Sequence, residues 1–93
     1  MRIKPDDADA CYNLANALLQ ARRVPEAIEQ YQKALQLKPD YAEAHNNLGA
    51  VFLQTRRLPE AAAQFKQALQ IRPDYADAQN NLARLQALQK TAP

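Results

Sequence analysis

The 93-residue chain contains one glycine, one cysteine, no tryptophan and no serine. A single glycine, Gly49, with no Asn-Gly or Asp-Gly pair, argues against a hairpin-rich β protein, whose tight turns need residues that accept positive φ. It also excludes a glycine-rich phosphate loop. The lone Cys11 excludes an intramolecular disulfide and fits a reducing compartment. No apolar run approaches the roughly 20 residues of a membrane span. The opening Met1-Arg2-Ile3-Lys4-Pro5 lacks the apolar stretch of a signal peptide, so the expected location is cytoplasmic. Twelve Lys and Arg against ten Asp and Glu leave a net charge of +2, with both signs intermixed. Such a field is too balanced to steer nucleic acid or a membrane surface, and neither is an expected partner.

What the chain does contain is 19 alanines, 12 leucines and 11 glutamines, all good helix formers. Its six prolines exclude one long helix or a coiled coil, because an interior proline costs a helix about 3 kcal/mol. Leu, Ile, Val and Phe together number only 19, near the border where a chain cannot bury enough apolar surface to offset its ordering entropy. Several short helices with prolines between them remain, an all-α class.

Residues 39–49 read Pro-Asp-Tyr-Ala-Glu-Ala-His-Asn-Asn-Leu-Gly, and residues 73–83 read Pro-Asp-Tyr-Ala-Asp-Ala-Gln-Asn-Asn-Leu-Ala. Residues 5–15 repeat the same pattern, again 34 positions earlier. Ungapped alignment of 8–41 with 42–75 gives 18 identities in 34 positions. Each unit holds two amphipathic segments at helical spacing. In the second unit these are helix A, with Ala44, Leu48, Val51 and Phe52, and helix B, with Ala61, Phe65, Ala68 and Leu69. The first unit has Ala10, Leu14, Ala17 and Leu18, then Ala27, Tyr31, Ala34 and Leu35. Pro25 and Pro59 suit the first turn of each helix B, where a missing N–H is not needed. A third helix A spans about 76–89 with no helix B after it, giving five helices. One such pair cannot hide its apolar face, whereas stacked pairs bury a continuous seam. The recurring alanines Ala27/Ala61 and Ala34/Ala68 permit close helix approach.

The order His45, Leu48, Gly49, Phe52, Ala61, Phe65, Ala68, Pro73, matched by Cys11, Leu14, Ala15, Leu18, Ala27, Tyr31, Ala34, Pro39 and by Gln79, Leu82, Ala83, Gln86, resembles the tetratricopeptide repeat pattern. The chain departs from that pattern at its tryptophan position in every unit. It also carries Arg22-Arg23 and Arg56-Arg57 in the turn between helices A and B, where no glycine lies. The resemblance implies an α-solenoid of antiparallel helix pairs wound as a right-handed superhelix. It divides residues 1–93, a single domain, into repeats over 8–41 and 42–75 and a capping helix over 76–90. Ile3-Lys4-Pro5 matches Leu37-Lys38-Pro39 and Ile71-Arg72-Pro73, so residues 1–7 read as the remnant of a preceding repeat in a longer array. Gln79 and Gln86 stand where earlier units face a helix B, as suits a solvated cap, although Pro93 falls in register with Pro25 and Pro59. The N-terminal face of the first pair would then be an exposed apolar end, a place for weak self-association.

A catalytic, metal or cofactor role finds no support in these residues. With one Cys, one His and no Ser, a nucleophile–base pair would have to be Cys11 and His45. These occupy equivalent positions on neighbouring helices roughly 8–10 Å apart, too far for a dyad and short of a zinc site. Both are expected to fill the slot between helices A and B. No enzyme activity, metal or cofactor is expected. The arginine pairs, with Lys90 near the third equivalent turn, admit three readings: complementation of helix C-termini with solubility, a docking stripe for an acidic partner, or nucleic acid, against which the lack of interleaved aromatic residues argues.

By the resemblance, the A helices line a concave groove that takes an extended peptide or a partner helix. The implied lining is Asp9, Tyr12, Asn13, Asn16, Leu19 and Gln20, then Glu43, Asn46, Asn47, Ala50, Leu53 and Gln54, then Asp77, Asn80, Asn81 and Arg84. Asn13, Asn47 and Asn81 recur at strict 34-residue spacing. An asparagine amide can engage a peptide backbone without reading its side chains, and a helix spacing of about 10 Å matches roughly three extended residues. The competing reading is that asparagine is simply tolerated on a solvated helix face. Asn16 and Asn47 match the asparagines of the clamp that holds chaperone carboxylate tails, but the clamp's basic positions carry Tyr12, Asp77 and Asn81. A tail carboxylate would be repelled by Asp77, which excludes that ligand. The repeats look more like the asparagine-laddered arm of the transferases that attach N-acetylglucosamine to Ser and Thr. The expected function is therefore protein or peptide binding, with a structural, self-assembling segment of an array as the alternative.

Overall fold

The computed structural model describes residues 7–91, which form five helices in chain order: α1 Ala8–Gln20, α2 Val24–Leu37, α3 Ala42–Gln54, α4 Leu58–Ile71 and α5 Ala76–Thr91. The remnant expected over 1–7 lies, apart from Asp7, outside the described residues, as does Pro93. Consecutive helices pack on one another, and α3 also meets α5. The alanines predicted to allow close approach, Ala27, Ala34, Ala61 and Ala68, are all fully buried. Bulk comes from Tyr31 and Phe65, equivalent in the two B helices and also fully buried. Gly49 is where α3 comes close to α4: a Cβ there would lie 2.6 Å from a ring carbon of Phe65.

The helix starts follow from their sequences. Asp7 caps α1, its carboxylate accepting the N–H groups of Asp9 at 3.0 Å and Ala10 at 3.2 Å. Pro25 and Pro59 sit in the first turn of α2 and α4. The linkers entering α3 and α5 are braced identically, with Lys38 over the Tyr41 ring at 4.6 Å and Arg72 over the Tyr75 ring at 4.3 Å.

The A-to-B turns differ from the simplest sequence reading. No basic residue lies in the last turn of α1 or α3. The arginines lie beyond the caps, and Arg22 and Arg56 take φ of 63° and 64°, the left-handed conformation that favours glycine. The N–H of Arg23 donates to the carbonyl of Leu18 at 2.8 Å and that of Arg22 to Leu19 at 3.0 Å. Arg57 and Arg56 make the same pair of bonds to Phe52 and Leu53. This is a Schellman closure with arginine in glycine's place, and the Arg57 guanidinium, 4.5 Å over the Phe52 ring, supplies its side-chain contact. A left-handed L-residue costs roughly 1–2 kcal/mol. Arg22→Gly and Arg56→Gly are each expected to stabilise the fold by about 1 kcal/mol after the entropy of glycine is set against that cost. Urea denaturation followed by circular dichroism checks this, and a loss of stability would contradict it.

At the two ends of the stack the equivalences break down. Leu48 is 1% exposed, but its counterpart Leu14 is 39% exposed, because no described element covers that side of α1. Leu37 is likewise exposed. At the other end, Gln79 and Gln86 are exposed on α5.

Candidate functional site

The residues expected to line the groove lie on α1, α3 and α5 but differ in how open they are. Asp9, Asn13, Gln20, Gln54, Asn80 and Arg84 are exposed, whereas Tyr12, Asn16, Glu43, Asn47 and Asn81 are half-buried and Asn46 is buried. Burial follows from one set of bonds. The Asn47 amide donates to the Tyr12 hydroxyl oxygen and to the Asn16 side-chain oxygen, both at 3.1 Å. Asn16 also accepts from the buried Tyr31 hydroxyl. One unit on, Asn81 donates to the Asn46 side-chain oxygen at 3.0 Å. Asn47 to Tyr12 and Asn81 to Asn46 are the same contact moved by 34 residues. Two of the three ladder asparagines are therefore turned against the preceding A helix rather than outward. Both amide hydrogens of Asn47 are occupied within the chain. Asn13, the first of the series, is exposed and has no such acceptor among the described residues.

Removing the Asn47 amide takes the donor from the Tyr12 hydroxyl oxygen and leaves the Asn16 oxygen with Tyr31 alone. Asn47→Ala is expected to lower stability by about 1–3 kcal/mol, and Asn13→Ala by less than about 0.5 kcal/mol. Thermal denaturation of the two variants decides it; equal small effects would mean that the inward bonds do not hold the repeats together.

Around this network Tyr12 lies against Tyr41, with ring centroids 4.9 Å apart, and against Tyr31 at 6.1 Å. Burial pushes the Tyr31 hydroxyl up to about 12. Burial, with the neighbouring Asp9 carboxylate, raises Tyr41 as well, and burial beside Glu43 raises Tyr75. His45 occupies the predicted slot, its ring nitrogens 2.8 Å from the Gln64 side-chain oxygen and 2.9 Å from the Pro39 carbonyl. Gln79, its counterpart, donates to the Pro73 carbonyl at 2.8 Å. At the position where the repeat pattern has tryptophan, two units thus have a polar group tethering helix A to the preceding linker. Cys11, the third, is buried and free. Among the described residues no three His, Cys, Asp or Glu side chains are grouped to hold a metal ion, and no helix is long and apolar enough to cross a membrane.

Two clefts open on the A-helix surface, and sequence patterns did not reveal them. One, of about 480 Å³, is lined by Leu19, Gln20, Arg22, Val24 and Gln54. The other, of about 330 Å³, is lined by Ala50, Leu53, Gln54, Arg56, Asn81, Arg84 and Leu88. Leu19, Gln20, Arg22 and Gln54 correspond to Leu53, Gln54, Arg56 and Leu88 at the 34-residue offset, so these are two copies of one feature. Each lies where an A helix ends in its left-handed arginine beside the next A helix.

Helix pairs stacked through alanine and one buried ring, joined by a contact that recurs with the sequence period, define an α-helical repeat protein of the solenoid class. The sequence model described as tetratricopeptide repeat matches residues 2–42 and 12–76, and the chain belongs to that family. Among curated proteins no sequence matches it. Its fold is similar to a crystal structure of MamA (TM-score 0.90, 23% identity, covering 94% of this chain and 51% of that one). A second MamA crystal structure gives a TM-score of 0.85 at 24% identity, covering 88% of this chain and 45% of that one. The first tetratricopeptide domain of Spaghetti (RPAP3), bound to the HSP90 peptide SRMEEVD, gives 0.89 at 22% identity, covering 95% of this chain and 70% of that one. This chain spans about half the length of the MamA chains.

Proposed function

We propose that the chain is a protein-interaction module that receives an extended peptide, or one face of a partner helix, along the surface of α1, α3 and α5. The observation that carries this reading is the pair of clefts in 34-residue register, each lined by apolar and polar side chains together. Family membership supports a binding role in general, and the RPAP3 domain of the same fold holds a peptide. The exposed amides of Asn13, Gln20, Gln54 and Asn80 are left to engage a ligand backbone, with neutral bonds worth about 0.5–1.5 kcal/mol each. Binding by two repeats and a further A helix is therefore weak and tolerant of sequence. The chaperone-tail clamp is not the mode: of its positions, Tyr12, Asn16 and Asn47 bond one another, and Asp77 repels a carboxylate.

The experiment is selection from a displayed random peptide library, followed by amide NMR mapping of the enriched peptides. Shifts confined to α1, α3 and α5 are expected. Shifts on the outer faces of α2 and α4, or no enrichment, would overturn the reading. A second reading, end-to-end association, rests on the exposed Leu14 and Leu37. Light scattering over a concentration series separates the two, since Leu14→Glu is expected to abolish association and leave peptide binding unchanged.

A further inference from the structure

The arginines of the described residues fall into two sets. Arg23 pairs with Glu26 at 2.7 Å, Arg57 with Glu60, and Arg72 with Glu43 at 3.3 Å. Arg22, Arg56 and Arg84 have no carboxylate partner among the described residues, and these are the arginines that line the clefts. No Asp or Glu lines either cleft. The second cleft holds two of the three, Arg56 and Arg84; the first holds Arg22 alone, because the counterpart of Arg84 is Ala50.

We propose that the cleft between α3 and α5 recognises a carboxylate on the partner peptide, held by Arg56 and Arg84, with an apolar neighbour of that carboxylate resting on Ala50 and Leu53. The proposal rests on the groove reading above and adds the chemistry of the ligand. Several observations converge on it. Guanidinium groups bind carboxylates through charge-assisted, often paired hydrogen bonds. Two full positive charges outweigh the roughly half-unit negative end of the α3 dipole beside them. The backbone at Arg56 is left-handed, where glycine costs least, yet a cation stands there and at Arg22, each lining a cleft. The exposed amide of Gln54 lines the same cleft and gives neutral bonds to the ligand backbone. Of the clamp positions only Asn81 borders this cleft, and its amide is held by the Asn46 side-chain oxygen.

The test compares three labelled peptides by fluorescence anisotropy: acetyl-Ala-Leu-Glu-Leu-Ala-amide, the same peptide with Gln for Glu, and acetyl-Ala-Leu-Leu-Ala with a free C-terminal carboxylate. The Glu peptide, the free-carboxylate peptide or both are expected to bind at least about tenfold more tightly than the Gln peptide. Which of them does so distinguishes a side-chain from a terminal carboxylate. Raising salt from about 0.01 to about 1 M, which shortens the screening length from about 30 to about 3 Å, is expected to erase the difference. Arg84→Gln is expected to remove about tenfold of the affinity. Arg56→Gly gives the sharper result, because it is expected to weaken carboxylate binding while raising the melting temperature, so the loss is not one of folding. Equal affinity for the Glu, Gln and free-carboxylate peptides would overturn the carboxylate proposal and leave groove binding standing, as would affinities untouched by both arginine variants. Absence of binding by all three peptides at millimolar concentration would overturn both.

Discussion

Phe65→Ala is expected to lower stability by about 3–5 kcal/mol, the cost of emptying a fully buried aromatic site. For a domain of this size, whose total stability is of order 5–15 kcal/mol, that leaves little margin. The loss is concentrated because α3 meets α4 through Gly49, so the Phe65 ring rests almost on the α3 backbone, and no small neighbour can move in to fill the void. In a stack held by nearest neighbours, α4 and α5 should open before α1 and α2, which hydrogen exchange would show as early loss of protection from residue 58 onward. A companion substitution tests the chemistry rather than the volume. Phe65→Tyr brings a hydroxyl to the place where, one unit earlier, Tyr31 donates to Asn16, but the counterpart of Asn16 is Ala50. The single change is expected to cost about 1–3 kcal/mol as an unpartnered buried hydroxyl. Adding Ala50→Asn should recover most of it, and urea titration of the double-mutant cycle reads the coupling directly.

Raising the pH beyond 10 is expected to destabilise the protein through its buried tyrosines. Tyr31, Tyr41 and Tyr75 are all raised by burial, Tyr31 to about 12 from the ordinary 10.0. A group raised in the folded state keeps its proton there while the unfolded chain releases it. Its stabilising contribution is whole below pH 10 and is lost as pH climbs through the folded value. For the fully buried Tyr31 the loss is about 1.4 kcal/mol per pH unit between 10 and its folded value. Denaturant midpoints measured at intervals above pH 10 should fall, and Tyr31→Phe should make the decline shallower although it lowers stability at neutral pH. A flat profile would show that these hydroxyls are solvated.

The helix order was legible because a gapless period leaves few alternatives. Pro25 and Pro59 mark the starts of the B helices, and the alanines at 27, 34, 61 and 68 recur where close contact needs them. The period assigns positions to helices but not side chains to partners. Asn47 could be placed on an A helix; that its amide turns to Tyr12 and Asn16 depends on the next helix and on which acceptors it brings. The same limit hid the clefts. Arg56 and Arg84 are 28 positions apart, outside the repeat register, and share a cleft only because α3 ends where α5 passes. The left-handed arginines were hidden for another reason, since local preference assigns such a turn to glycine and here the helix-closing bonds outweigh it.

The Asn47–Tyr12 and Asn81–Asn46 bonds each span 35 residues, one more than the period. A donor in one unit therefore meets the residue just ahead of the equivalent position in the unit before. Tandem duplication of a 34-residue gene segment would thus carry a matched donor and acceptor into register at the new junction, with no further substitution needed. An array built this way can lengthen by copying, and each added unit arrives already fastened to the one before it.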